Sequence, residues 1–330
     1  MDQAQPTNKA QQPGMGKILL IGIFPVLLIN LNLFMSIFAP FPLALTSVIY
    51  GRQKGALAML AGLFACVFLI QTLKVDIAIL MIMLFCGFIA FSLSEVVIRQ
   101  INPIRGIMGI GAIMTLIATL MVTITVTQTN KTLKELLVIE FKKSQPLIEE
   151  QRKKIKEQGG QSSFEFEALI SQPELLADEV LKEAPGYFLA GIFLALWFNL
   201  FLLLKSNRLV NKTKQYKFNE SYLLNFKVPD HGIWIVIIGL ALTIWGDTLG
   251  LWFSTVGLTI LKAIGVFYFF QGFGIYLAFL DYVRVTGFFR SMLVVLTIFT
   301  AGALLAIIGL ADMFVDFKKL MQRKKDQGDL

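Results

Sequence analysis

The chain has 330 residues, 56% of them hydrophobic and 16% charged, with a mean hydropathy of +0.70 and a net charge of +8. That apolar excess excludes an ordinary soluble domain and suits a bilayer, whose hydrocarbon core takes about 20 apolar helical residues per crossing. Two cysteines inside apolar runs, Cys66 and Cys86, and a single histidine, His231, argue against a disulfide framework, a metal centre and a Ser-His-Asp site.

Residues 1–16 are polar and read as a disordered tail. From Ile18 to Tyr50 the chain is apolar, and Pro40 and Pro42 divide it into a span near 18–37 and a short segment at 40–50. The first span has no small-residue cleavage site and reads as retained. Gly51-Arg52-Gln53-Lys54-Gly55 is a basic turn, followed by a span to about Ile70, a turn at Lys74 and Asp76, and a span over 77–98. Arg99 and the Asn102-Pro103 turn lead into a fifth span from Gly106 to about Thr127, whose threonines can bond the carbonyl one turn back.

A polar block then separates the apolar runs, with nine Lys/Arg and eleven Asp/Glu over residues 128–185, a balance of −2. Leu133, Leu136, Leu137 and Phe141 recur at helical spacing, Pro146 interrupts, Gly159-Gly160 forms a hinge, and two further amphipathic pieces carry Phe164, Phe166, Leu169, Ile170 and Leu175, Leu176, Val180, Leu181. The block reads as a small helical lobe outside the lipid, with a loose charged linker as the alternative. Pro185-Gly186 starts a sixth span, running to Leu204. A basic loop (Lys205, Arg208, Lys212, Lys214, Lys217, Lys227) precedes a seventh span from Pro229 to Gly246, an eighth stretch over 252–283, a ninth over 288–311 and a basic tail.

The fold class is therefore all-α: a polytopic transmembrane bundle of about 8–10 segments with one small extramembrane helical insertion, because continuously apolar runs fit helices rather than barrel strands. It divides into an N-terminal tail (1–16), a first membrane block of about five segments (17–127), the polar insertion (128–185), a second block of about four (186–312) and a basic C-terminal tail (313–330). With the N-terminus in the cytoplasm, the basic turns fall inside and the polar block outside, in accord with the positive-inside rule. Nine crossings would then export Lys318, Lys319, Arg323, Lys324 and Lys325, so either the eighth stretch crosses twice or the 40–50 segment does not cross.

Ionisable groups within spans mark candidate sites. Lys262 lies deep in the eighth stretch, followed by Gln271; with Asn30 and Asn32 of the first span these are the candidate ligand-binding residues. The alternatives are a snorkelling lysine or a pair with Asp247 for Lys262, and helix-to-helix hydrogen bonds for Asn30, Asn32 and Asn199. Glu95 with Arg99, and Asp281 with Arg284, have the spacing of interfacial ion pairs. His231 and the tryptophans Trp234, Trp245 and Trp252 fit the membrane interface. No phosphate loop, H-E-x-x-H or G-x-S-x-G motif occurs, so no catalytic residue, metal ligand, cofactor or enzymatic activity is expected, nor nucleic-acid binding.

Pro40-Phe41-Pro42-Leu43, Tyr50-Gly51-Arg52-Gln53-Lys54-Gly55, Phe226-Lys227-Val228-Pro229, Gln271-Gly272-Phe273, Gly309-Leu310-Ala311-Asp312 and Asp316-Phe317-Lys318-Lys319 together resemble the YybS-like family of bacterial membrane proteins, a domain of unknown function. That family is distantly similar to the substrate-binding subunits of energy-coupling-factor transporters. The resemblance implies a bacterial cytoplasmic-membrane protein whose bundle binds or carries a small molecule. The first span reads Ile21-Gly22-Ile23-Phe24-Pro25-Val26 instead of the Ala-x-x-x-Ala pattern those subunits use to dock, so docking on such a partner is not implied. The alternative function is a non-transporting scaffold that assembles with envelope partners, or with further copies of itself, through the polar insertion.

Overall fold

The computed structural model describes residues 14–157, 172–206, 210 and 216–326. Among these every regular element is helical: α1 (Met15–Leu31), α2 (Leu33–Ser36), α3 (Pro40–Tyr50), α4 (Arg52–Leu73), α5 (Ala78–Ile98), α6 (Pro103–Thr129), α7 (Leu133–Glu157), α8 (Pro173–Lys205), α9 (Glu220–Leu224), α10 (Gly232–Leu249), α11 (Leu251–Tyr282), α12 (Gly287–Val315) and α13 (Phe317–Asp326). Six of them, α4, α5, α6, α8, α11 and α12, are long and apolar enough to cross a membrane, and α1, α3 and α10 are shorter apolar helices. Large apolar side chains cover their outer surfaces, and only 11% of the most apolar stretch of α12 is buried within the protein. Such a surface is stable against acyl chains and not against water.

Two compact units are present: unit 1 (Met1–Ala112, Gly191–Val228, Phe267–Leu330) and unit 2 (Ile113–Ala190, Pro229–Val266). In unit 1, α3 packs on α4 and α5, and α1 packs on α4. The short α3 is itself largely buried, with Leu43, Ala44 and Val48 in the core. Asn199 of α8 donates to the Ile37 carbonyl (2.6 Å) in the break before α3 and to Ala195 one turn back (2.6 Å). Trp197 anchors an aromatic core, stacked on Phe270 at 4.5 Å and Phe201 at 5.4 Å and edge-on to Phe273 at 5.6 Å. Where α11 crosses α12, Gly272 and Gly309 let the backbones touch: a Cβ at either would collide with the carbonyl oxygen of Leu305 or Tyr268.

In unit 2, α7 and the start of α8 run antiparallel, joined by Lys134–Asp178 (2.6 Å) and Lys142–Glu174 (3.0 Å). A reciprocal cap opens α7: Thr132 N–H donates to Glu135 Oε2 (2.7 Å) and Glu135 N–H to Thr132 Oγ1 (3.2 Å). Gly250, at φ 118°, turns α10 into α11.

Several expected boundaries move. The first span stops at Leu31 instead of reaching 37, with α2 in the gap. Pro146 does not interrupt α7 and Pro185 does not start a helix; both lie inside one. A proline removes one backbone hydrogen bond, and strong helix formers on both sides of Pro146, and ion pairs on the turns before Pro185, hold the helix through it. The eighth stretch does not cross twice, because α11 is one helix of 32 residues, about 48 Å long. Met15 and Gly16, placed in the N-terminal tail, open α1 instead; residues 1–13 of that tail, the Gly159-Gly160 hinge and the Phe164–Ile170 piece lie outside the described residues, as do most of 207–215.

Candidate functional site

The polar side chains expected to line a ligand site have partners of their own. Gln271, 2% exposed in the α11 core, accepts from the Val228 N–H through Oε1 (2.9 Å) and donates through Nε2 to Asp312 Oδ2 (2.8 Å). Asp312, 5% exposed near the end of α12, accepts the Phe317 N–H on its other oxygen (2.8 Å). The chain turns there through Asp316, a left-handed residue at φ 49°. Lys318 completes the clamp, donating to the Leu224 carbonyl (2.6 Å) and Asn225 Oδ1 (3.1 Å). Burial pulls the Lys318 ammonium below its usual range, against the opposing pull of Asp312 and Asp316. The hydrogen bond from Lys319 holds the Asp316 carboxyl below its usual range. α11, α12, α13 and the 224–228 segment are thus fastened at one locus.

A second set of bonds continues from that segment. Asn102 caps α6 by accepting from Ile104 and Arg105 N–H (3.0 and 3.3 Å), and its amide donates to Tyr222 Oη (2.5 Å). Tyr216 Oη donates to the Ile101 carbonyl (2.6 Å), and Lys217 N–H to Gln100 Oε1 (3.2 Å). Burial pushes the Tyr216 phenol up. Glu95 pairs with Arg99 at 2.7 Å and also with Arg52, in a two-pronged contact of 2.6 and 2.8 Å that joins the start of α4 to the end of α5. The α5–α6 turn, the 216–228 segment and α13 therefore share one end of unit 1, and their basic residues lie there together.

Lys262 of α11 sits in unit 2. It pairs with Glu183 of α8 and lies over the Tyr187 ring, 3.6 Å from its centroid. Its side chain is 19% exposed, and its stem packs against Gly186. A carboxylate and an aromatic face already satisfy this cation. The Asp247 side chain is outside what the structure describes.

The remaining candidates separate further. Asn30 is exposed and donates one turn back to Val26 (2.8 Å); Asn32 is exposed and ends α1. The expected Asp281–Arg284 pair is replaced by Asp281–Arg290, at 2.5 and 3.2 Å. Arg284 is left-handed at φ 58° in the turn after α11, which turns the backbone out of the i,i+3 geometry, while Arg290 arrives from the first turn of α12. Asn30, Asn32 and Gln271 belong to unit 1 and Lys262 to unit 2. Sequence reading missed Asp312, Glu183 and Arg52 as partners, because each pairing is long-range; the Thr132-x-x-Glu135 cap was visible as a motif.

One apolar cleft of about 220 Å³, solvent-side space included, is lined by Ile104, Ile107, Met108, Trp197, Phe226, Phe267 and Phe270. It is smaller than the roughly 300–1,000 Å³ of sites that enclose drug-sized ligands. The buried Trp197 Nε1–H has no acceptor among the described residues.

Apolar helices sheathed in exposed hydrophobic side chains, with polar groups fastened inside, define a polytopic α-helical membrane protein in contact with the lipid bilayer. Over residues 18–313 the chain matches the family described as predicted membrane protein (DUF2232), and it belongs to that family. The YybS-like resemblance is consistent with this membership. No curated protein and no solved structure matches the chain.

Proposed function

We propose that the protein is a scaffold of the bacterial cytoplasmic membrane that assembles with envelope partners through its polar insertion. The observation that carries this reading is the closure of the intramembrane polar groups on one another: Gln271 on Asp312 and Val228, and Lys262 on Glu183 and Tyr187. The insertion also leaves apolar side chains to be covered, Leu133 at 38% and Leu175 at 54% exposure. In the orientation that fits the charge rule, the joined end of unit 1 is cytoplasmic, and α7 with the start of α8 is extracytoplasmic. Replacing residues 131–172 by a short flexible linker keeps Glu183 and Lys262 in place. Crosslinking in intact cells should then lose the partners captured by the whole chain; retention of every partner would overturn the reading.

Small-molecule binding is the second reading, favoured by the Trp197 N–H, without an acceptor among the described residues, beside an apolar cleft. It requires the purified protein to carry an extractable small molecule whose retention falls in Trp197→Phe.

A further inference from the structure

We propose that α13 is a docking surface for anionic phospholipid headgroups. α13 begins two residues after the last residue of α12, an apolar helix able to cross the membrane, so its first turn stays near the level where α12 ends. Its ten residues, Phe317-Lys318-Lys319-Leu320-Met321-Gln322-Arg323-Lys324-Lys325-Asp326, hold five basic groups against one carboxylate. Phe317, Leu320 and Met321 fall on one side of the helix, and Leu320 is 42% exposed. Headgroup-level lipid offers both an apolar layer for that side and anionic groups for the basic residues around it, Lys324 included, which by spacing lies on the apolar side and can extend its charge outward.

The internal bonds of α13 bear this out. Lys318 turns inward, to Leu224 and Asn225, and the Asp312–Phe317 bond fixes the direction in which the helix leaves α12. Lys319 shares its charge with Asp316, while Arg323 is exposed with no carboxylate partner among the described residues. Lys227, also exposed, lies close enough to Asp316 to act on it electrostatically and extends the basic surface beyond the helix. A helix pinned at its first turn and cationic beyond it gathers phosphates without reorganising. Four or more basic residues beside a span are enough for such attraction, which is screened within a Debye length.

The test uses the full chain with Gln322→Cys carrying an environment-sensitive fluorophore; Cys66 and Cys86 are buried. The protein is reconstituted into phosphatidylcholine vesicles containing increasing phosphatidylglycerol. The expected result is a blue shift that grows with phosphatidylglycerol and reverses in high salt. Neutralising Lys319, Arg323, Lys324 and Lys325 to Gln should raise the phosphatidylglycerol needed by roughly fivefold per charge removed. Thermal melting of that variant in detergent should be unchanged, since the Asp312 and Lys318 bonds remain. A label indifferent to phosphatidylglycerol, or a response that survives neutralisation, would overturn the proposal. So would a label that stays in water in every vesicle and is shielded only when membrane proteins are added, which would assign the surface to an acidic protein.

Discussion

Asp312 carries two bonds that nothing else nearby can replace. Asp312→Ala would leave the Gln271 amide and the Phe317 N–H without their acceptor, at about 1–3 kcal/mol for each orphaned group. Thermal melting in detergent should show a large fall for Asp312→Ala and a smaller one for Asp312→Asn, which keeps the shape and one oxygen. Lys318 gives a pH signature. Its folded value is depressed below 10.5, so below that folded value the fold bears the full cost of burying the charge. As pH climbs through the folded value toward 10.5, the cost lifts and stability is gained. Melting followed against pH should show the wild type gaining on Lys318→Met across that window; parallel curves would remove Lys318 from the clamp. Polar residues such as Gln271, Lys262, Glu95 and Arg99 were visible in the sequence as costly groups in apolar runs. The Glu95–Arg99 pair was legible from its spacing; the partners of Gln271 and Lys262 were not, since Asp312 and Glu183 lie 41 and 79 residues away and only folding brings them near.

At the level of elements, boundaries followed hydropathy well wherever turn residues agreed with it. α5, α6 and α11 lie within a few residues of the apolar runs, because Asp76, Asn102 and Gly250 supply the caps and turns. Prolines misled the reading twice, at Pro146 and Pro185, where tertiary ion pairs and flanking helix formers outweigh the lost backbone bond. Two element-scale outcomes follow from the geometry. Thr132→Ala should destabilise the first turn of α7 by about 0.5–2 kcal/mol, seen as faster hydrogen exchange at residues 133–136 with the rest of α7 unchanged. Gly309→Ala should force α12 away from the Tyr268 carbonyl and lower stability by about 1–3 kcal/mol, whereas Gly191→Ala, with open space around it, should be neutral.

For the whole molecule, the bilayer explains what the composition demanded: helices whose outer faces are apolar and whose few polar side chains close inward. That much was legible from hydropathy alone. The joined end of unit 1 was not, because it depends on Tyr216, Tyr222 and Lys318 reaching turns more than ninety residues away in sequence. The basic C-terminal helix and the basic segment around Lys217 share that end. On the scaffold proposal, the intramembrane polar groups fasten helices and hold no cargo. Mass spectrometry of small molecules released from the purified wild type, Lys262→Ala and Gln271→Ala tests it most directly. The expected result is no released molecule whose amount depends on either residue, together with a lowered melting temperature in both variants. A stoichiometric molecule present in the wild type and lost from both variants, with melting unchanged, would contradict it.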